Sequence, residues 1–96
     1  MATVTMQVST NVGEIVSDPS ILGGEPTIAG TRVSVRAVVL MYRMHGDDLS
    51  RTQRSLPTLT EKEIHLALGY YERHRREILG YMRKNGVDED FLRREA

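Results

Sequence analysis

Residues 18–35 read DPSILGGEPTIAGTRVSV, a run that combines turn-forming residues with large aliphatic ones. Three glycines and two prolines lie within its first thirteen positions, so the backbone is expected to turn repeatedly there. The same run carries Ile21, Leu22, Ile28 and Val33, whereas a flexible linker is rich in Gly and Ser and lacks such residues. We therefore predict a rigid segment that its own aliphatic side chains hold against the rest of the protein.

Helical periodicity follows this segment. Ser34 is a suitable N-cap for a first helix, because its hydroxyl can accept a hydrogen bond from an unpaired amide, and Gly46 ends that helix. Asp47 or Asp48 then caps a second, short helix that extends to about Ser55. These two helices are the first part of a compact helical unit.

The strongest boundary signal in the chain is a capping box at Thr60. The Thr60 side chain is placed to serve the amide of Glu63, whose carboxylate reaches back to the amide of Thr60. Behind this cap, apolar residues recur on one side of a third helix, which we expect to continue to Lys84, just before an Asn-Gly pair. A last short helix is predicted to start at Asp88.

The predicted elements divide a mainly α-helical chain into three parts. Residues 1–13 are polar and aperiodic and are expected to form a flexible N-terminal arm. Residues 14–72 are expected to form a domain with a short extended or β lead-in and three helices, whose lengths match a helix-turn-helix core. Residues 73–96 are expected to form a helical tail. A three-helix unit is also a common way to close a small core, so the helix lengths alone do not establish DNA binding.

Composition narrows the functional classes. The 96 residues form one domain, and thirteen acidic and thirteen basic residues cancel. The absence of cysteine excludes a disulfide scaffold, a thiolate zinc site and a cysteine nucleophile, and it is compatible with the cytoplasmic location that we expect. No apolar run approaches the ~20 residues of a membrane span. Motifs for metal binding, phosphate binding or acid–base catalysis are also missing, so we expect neither an enzyme nor a cofactor or metal site.

Positive charge is concentrated in the middle of the chain. Residues 31–60 carry five arginines against two aspartates, a net charge of +3, and arginine's planar fork suits phosphates and guanine edges. Arg36 and Arg43 share a helix face, and Arg32 lies just before the cap. This row could contact phosphates, pair with acids of a partner, or be an ordinary solvated surface.

The leading exposed residues of the predicted third helix are Glu61, Lys62 and His65. In a helix-turn-helix protein this part of the helix approaches the major groove, so Lys62 and His65 are candidate DNA contacts. The two glutamates at this end, Glu61 and Glu63, suit the helix dipole and the cap but are poor residues for approaching phosphates. The alternative for each of the three histidines, at positions 45, 65 and 74, is that it is an ordinary surface or boundary residue with a purely structural role.

The apolar residues beyond position 77 spread over more than one side of a helix. A helix that is apolar on more than one side needs more than one surface to pack on. In a chain of this size the pattern favours a partner chain. The alternative is that the last helix folds back and covers these residues.

Residues 14–71 resemble the domain of unknown function 433 family of small bacterial proteins. The elements that carry the resemblance are Asp-Pro, Gly-Gly-x-Pro, Gly-Thr-Arg-Val and Leu-Pro-x-Leu-Thr-x-x-Glu-Ile, which begin at Asp18, Gly23, Gly30 and Leu56. Glu25 departs from the pattern, since the family often has a base there. The resemblance implies a homeodomain-like helix-turn-helix fold and an antitoxin of the VapB kind, encoded beside a PIN-like ribonuclease toxin.

From the resemblance and the tail we predict a non-enzymatic antitoxin. As a homodimer it would bind operator DNA and repress its own operon, while its tail blocks the acidic pocket of the toxin. The predicted DNA-binding residues are Arg32, Arg36, Lys62 and His65. The predicted partner-binding residues are bases and apolar residues of the tail: Arg73, Arg75, Arg76, Ile78, Tyr81, Met82, Arg83, Lys84, Phe91 and Leu92. Two alternatives stay open, a stand-alone DNA-binding regulator and a protein-interaction module that binds no DNA.

Overall fold

The structure, a computed structural model, describes residues 14–96. Within that range it contains a two-stranded sheet and five α-helices. In chain order the elements are β1 (Ile15–Val16), a 3₁₀ turn (Leu22–Gly24), β2 (Thr27–Ile28), α1 (Val35–Met44), α2 (Leu49–Ser55), α3 (Glu61–Arg73), α4 (Arg75–Lys84) and α5 (Glu89–Glu95). The chain is therefore mainly helical with a short β lead-in, as the sequence predicts. The predicted arm, residues 1–13, lies outside the described residues.

The glycine- and proline-rich segment folds back on itself. Strands β1 and β2 pair antiparallel, with Ile15 opposite Ile28, and the amide of Ile28 donates to the carbonyl of Val33 at 3.0 Å. Gly30, at φ +81°, permits the turn between Ile28 and Val33. Ile28 is completely buried, as predicted, but Leu22 remains 46% exposed in the 3₁₀ turn. The prediction that Leu22 helps to hold the segment in place is therefore wrong.

Three of the helices begin at caps that the sequence predicts. The side chains of Ser34 and Asp48 each accept a hydrogen bond from the amide three residues ahead, at 3.0 and 2.9 Å. The capping box is confirmed, because Thr60 Oγ1 accepts from the Glu63 amide at 3.1 Å and Glu63 Oε1 accepts from the Thr60 amide at 2.9 Å. These bonds satisfy amides that the first turn of a helix leaves unpaired, so α1, α2 and α3 have fixed starting points.

The predicted long third helix is divided at His74. Helix α3 ends at Arg73 and α4 starts at Arg75, because His74 has φ −132° and ψ 40°. The His74 amide is still paired, with the carbonyl of Tyr70 at 2.9 Å. The prediction of one continuous helix to Lys84 is therefore wrong. No glycine or proline lies at the break, and the new direction lets α4 pack against both α1 and α5.

One hydrophobic core joins all parts of the described chain. Helix α1 packs chiefly on α3 and also contacts α2 and α4, while β1 contacts α3 and α5 packs on α4. The buried residues of this core are Ile28, Val35, Val38, Val39, Leu59, Ile64, Ala67, Tyr71, Ile78, Leu79, Met82 and Leu92. The last four lie in the predicted tail, so the core extends across the predicted boundary at residue 72. The last helix folds back onto the protein, which is the alternative that the sequence left open.

Candidate functional site

The exposed side of α3 brings together Lys62 and His65, the two predicted DNA contacts of this helix. Both side chains are exposed and lie beside Glu61 on the first turns. They line a mainly apolar hollow of about 630 Å³, to which Leu49 of α2 and Leu66 of α3 also contribute. The hollow is apolar and its rim carries charges of both signs, an arrangement that is also found at protein interfaces.

Arg36, a predicted DNA contact, is paired inside the protein. Its Nε donates to Glu25 Oε2 at 2.7 Å, and its Nη2 donates to Glu25 Oε1 at 3.2 Å. The Glu25 side chain is only 5% exposed, and the Arg36 side chain is 20% exposed. A carboxylate buried to this extent needs such a bidentate partner, so Arg36 is not free to approach DNA in this conformation. The sequence carries no spacing signal for the pair, because the two residues lie eleven positions apart in different elements.

Arg43, the other helical member of the predicted arginine row, belongs to a network around Glu95. The Glu95 carboxylate accepts from Arg43 Nε at 3.1 Å, from Arg43 Nη2 at 3.2 Å and from the Tyr71 hydroxyl at 2.6 Å. Arg75 Nη1 lies 3.5 Å from this carboxylate and donates to the Glu95 carbonyl at 2.8 Å. Burial alone would raise the pKa of Glu95, but the hydrogen bonds from Tyr71 and Arg43 and the positive charges outweigh it, and the pKa is lowered. The network ties α5 to α1, α3 and α4.

Arg51 and Arg54, which the sequence analysis did not assign to a site, are exposed on α2. With His45 and Ser55 they line a hollow of about 390 Å³. His45 Nε2 and Ser55 Oγ are 2.7 Å apart, which joins the end of α1 to the end of α2. Neither arginine forms an ion pair within the described part of the chain. The only sequence signal for them is the positive charge of this segment, which does not distinguish free arginines from paired ones.

The predicted partner-binding residues fall into a buried and an accessible group. Ile78, Met82 and Leu92 are buried in the core, so a partner cannot reach them in this conformation. Arg75 is engaged with Glu72 and with the network described above. The predicted residues that stay at least partly accessible are Arg73, Arg76, Tyr81, Arg83, Lys84 and Phe91. The apolar tail residues require more than one packing surface, and helices of the same chain supply these surfaces.

Tyr70, His74 and Tyr81 form an aromatic group at the junction of α3 and α4. The rings of Tyr70 and His74 stack, with centroids 4.2 Å apart and planes 25° apart. The Tyr70 hydroxyl donates to Glu77 Oε1 at 2.6 Å, and partial burial together with this bond raises the pKa of Tyr70 to about 12. Lys84 Nζ lies 5.4 Å from the centroid of the Tyr81 ring. The sequence gives Tyr70 no site role, because its hydrogen-bond partner Glu77 lies on the following helix.

Residues 14–96 contain no group of three or more His, Cys, Asp or Glu side chains that could hold a metal ion. In the same range, every buried side-chain nitrogen or oxygen has a hydrogen-bond partner. None of the described helices is long and apolar enough to cross a bilayer.

Comparison with known proteins gives a family and a related structure. The profile of the family described as "Protein of unknown function (DUF433)" matches residues 15–71. Among solved structures, the chain is similar to a DUF433 member protein from Anabaena variabilis ATCC 29413, with a TM-score of 0.62 and 28% sequence identity. This similarity covers 80% of the present chain and 73% of the other. No curated protein matches the sequence.

Proposed function

Because the chain belongs to the DUF433 family of proteins of unknown function, we propose that it is a non-enzymatic antitoxin of the VapB kind. In this proposal it binds a PIN-like ribonuclease toxin through the accessible residues of the predicted partner-binding set: Arg73, Arg76, Tyr81, Arg83, Lys84 and Phe91. As a homodimer it also binds operator DNA through α2, α3 and the exposed Arg32 before α1, and so represses its own operon. The two activities use different surfaces and can be tested separately.

The DNA-binding activity is supported by the order and lengths of the central helices. Helix α2 has seven residues, residues 56–60 connect it to α3, and α3 has thirteen residues. A helix-turn-helix motif needs a short helix that crosses the DNA backbone, a brief turn and an exposed helix that enters the major groove. Arg51 and Arg54 are exposed on the first of these helices, and Lys62 and His65 on the second. This arrangement is the observation that carries the proposal.

A gel-shift titration with the DNA upstream of the gene tests the repressor activity. We expect binding whose affinity falls steeply as salt rises, because each neutralised phosphate releases counterions. Replacing Arg51 and Arg54 together with alanine should weaken binding and reduce this salt dependence, and Lys62→Ala should do so to a smaller extent. Arg94→Ala, which removes an exposed arginine of α5, is the matched control and should bind like the wild type. A wild-type protein that shifts no DNA at low salt would exclude the repressor role.

The antitoxin activity is supported by positive charge on the last helices. Four of the predicted partner-binding cations are exposed there: Arg73, Arg76, Arg83 and Lys84. The family resemblance implies a toxin with an acidic, metal-binding pocket, in which a cation can replace the charge of the metal. Co-expression with a neighbouring PIN-like gene product, followed by sizing, should yield a complex with suppressed ribonuclease activity. Charge reversal is a better test than deletion of residues 73–96, because that deletion would remove four residues of the core.

A protein-interaction module that binds no DNA is the second candidate. It is favoured by the apolar hollow between Leu49 and Leu66 and by Glu61 at the leading end of α3. The gel shift separates it from the first proposal. A stand-alone regulator is distinguished by gene neighbourhood, since it would have no PIN-like coding frame in its operon.

A further inference from the structure

The junction of α3 and α4 carries an aromatic surface outside the buried core. It consists of the stacked rings of Tyr70 and His74 and, on the next turns, Tyr81 beneath the Lys84 ammonium group. His74 is exposed, and the two tyrosines are half-buried. Aromatic side chains with a polar end are the ones that most often anchor protein interfaces, because they combine a large contact area with little loss of side-chain entropy.

The charge of this surface is positive. Arg73 and Lys84 are both exposed, and within residues 14–96 neither forms an ion pair. Glu77 is the single acid of α4, and its carboxylate already accepts the Tyr70 hydroxyl at 2.6 Å. The two cations can therefore pair with carboxylates from outside the chain, whereas the Glu77 carboxylate already has a hydrogen-bond partner.

Gly80 leaves the backbone of α4 open beside this surface. It shares the outward side of α4 with Glu77, Tyr81 and Lys84, which lie three residues before it and one and four after it. A Cβ at this position would meet no atom within 4 Å, and its φ is not in the region that favours glycine. Glycine inside a helix lowers stability by about 1 kcal/mol relative to alanine. No contact within the described chain explains why glycine stands at this position. The missing side chain does let another molecule approach the helix backbone closely.

We propose that this aromatic face, defined as Tyr70, Arg73, His74, Gly80, Tyr81 and Lys84, docks onto an acidic surface of a partner protein. The aromatic rings supply the apolar contact, Arg73 and Lys84 meet carboxylates, and Gly80 receives a side chain of the partner. The assignment rests on the proposed function in naming the PIN-like ribonuclease as that partner. The aromatic face takes the place of Ile78, Met82 and Leu92 as the expected partner contact, because those three residues are buried in the core of this chain.

A protein partner fits this surface better than a nucleic acid. Two cations beside one carboxylate are a short track for phosphates, and non-specific binding of single strands depends on a longer groove of positive charge. Tyrosine and arginine are enriched at protein interfaces, and a lysine at the edge suits the polar rim that surrounds an interface centre. The acids of the partner would complete the charge balance.

Calorimetric titration of the full chain with the neighbouring PIN-like ribonuclease tests the assignment. We expect Tyr81→Ala and Lys84→Glu each to weaken binding by about tenfold or more, which is a loss of about 1.4 kcal/mol. Gly80→Leu should weaken binding more than Gly80→Ala, because the larger side chain fills the opening. Arg94→Glu, on an exposed arginine of α5, is the matched charge control and should stay within about threefold of wild type. Circular dichroism verifies that each variant is folded.

The outcomes separate this surface from the proposed function. A wild-type chain that does not bind the ribonuclease overturns both. A wild-type chain that binds, together with variants that bind equally well, overturns the aromatic face alone and leaves the antitoxin proposal standing. If a single-stranded oligonucleotide displaces the ribonuclease and loses its own binding in Tyr81→Ala, the face is a nucleic-acid site and the assignment to a protein partner is wrong.

Discussion

Replacing Glu95 with alanine should loosen the attachment of α5 to the rest of the protein. The Glu95 side chain is 12% exposed and receives hydrogen bonds from Arg43 of α1 and Tyr71 of α3, while Arg75 of α4 lies within ion-pair distance. Glu95 is in the last turn of α5, where a negative charge interacts unfavourably with the helix dipole. The dipole alone would therefore make the alanine variant more stable, so any loss must come from the network.

The size of the loss follows from what the substitution leaves behind. Arg43 keeps its bond to Asp47 at 2.9 Å, and Arg75 keeps Glu72 at 2.5 Å, so neither guanidinium becomes unpaired. The Tyr71 hydroxyl loses its acceptor in a residue that is 1% exposed. Hydrogen bonds to charged groups contribute about 1.5–3 kcal/mol each, and the remaining exposure of Arg43 reduces that figure. We therefore expect a loss of about 2 kcal/mol in the free energy of unfolding and a fall in Tm of roughly 10 °C.

Chemical and thermal unfolding, followed by circular dichroism, measure this loss. Glu89→Ala is the matched control, because Glu89 lies on the same helix but faces Arg83 at 3.7 Å with both side chains more than half exposed. An exposed pair of this kind contributes at most about 1 kcal/mol and often nothing measurable. If Glu95→Ala and Glu89→Ala unfold at the same denaturant concentration, the network does not hold α5, and the reasoning fails.

Three further predictions concern the same forces. The lowered pKa of Glu95 means that its carboxylate stabilises the fold above the ordinary glutamate pKa of 4.5 and that this stabilisation is lost as the pH falls. The free energy of unfolding, measured between about pH 6 and about pH 3, should therefore depend less on pH in Glu95→Gln than in wild type. Thr60→Ala removes one half of the capping box and should cost about 1 kcal/mol in a denaturant titration, whereas an unchanged midpoint would show that the cap does not stabilise α3. Glu25→Ala leaves Arg36 partly buried without its partner and should lower the free energy of unfolding by about 3 kcal/mol. The double variant Glu25→Ala/Arg36→Met should recover part of that loss. If the single and the double variant are equally unstable, the loss does not come from the unpaired Arg36.

The sequence predicts the helix starts well because each cap is local. Ser34, Asp48 and Thr60 act on amides only three residues ahead, so the signal and its partner lie within one short stretch. The turning lead-in is predictable for the same reason, since glycine and proline limit the backbone at their own positions. These predictions do not depend on how distant parts of the chain pack.

The features that the sequence does not predict depend on distant partners. Glu95 accepts from Arg43, 52 positions away, and from Tyr71, 24 positions away. Arg36 is directed to Glu25 rather than to solvent, which changes its interpretation from a candidate DNA contact to an internal ion pair. The break at His74 likewise reflects where α4 packs. Periodicity also shows only that an apolar tail must be covered, and it does not tell a partner chain from helices of the same chain.

The folded-back tail limits how a partner can use it. Releasing α5 would break the Glu95 network and expose Leu92, which is 2% exposed, at a cost of about 2 kcal/mol for each. A binding mode that requires this release is therefore weaker by about 4 kcal/mol, close to a thousandfold in affinity, than one with equal contacts and no rearrangement. The aromatic face is accessible with α5 in place, so contacts made there carry no such cost. On energetic grounds, a partner that recognises the folded chain is expected to engage α3 and α4 from outside and leave the core closed.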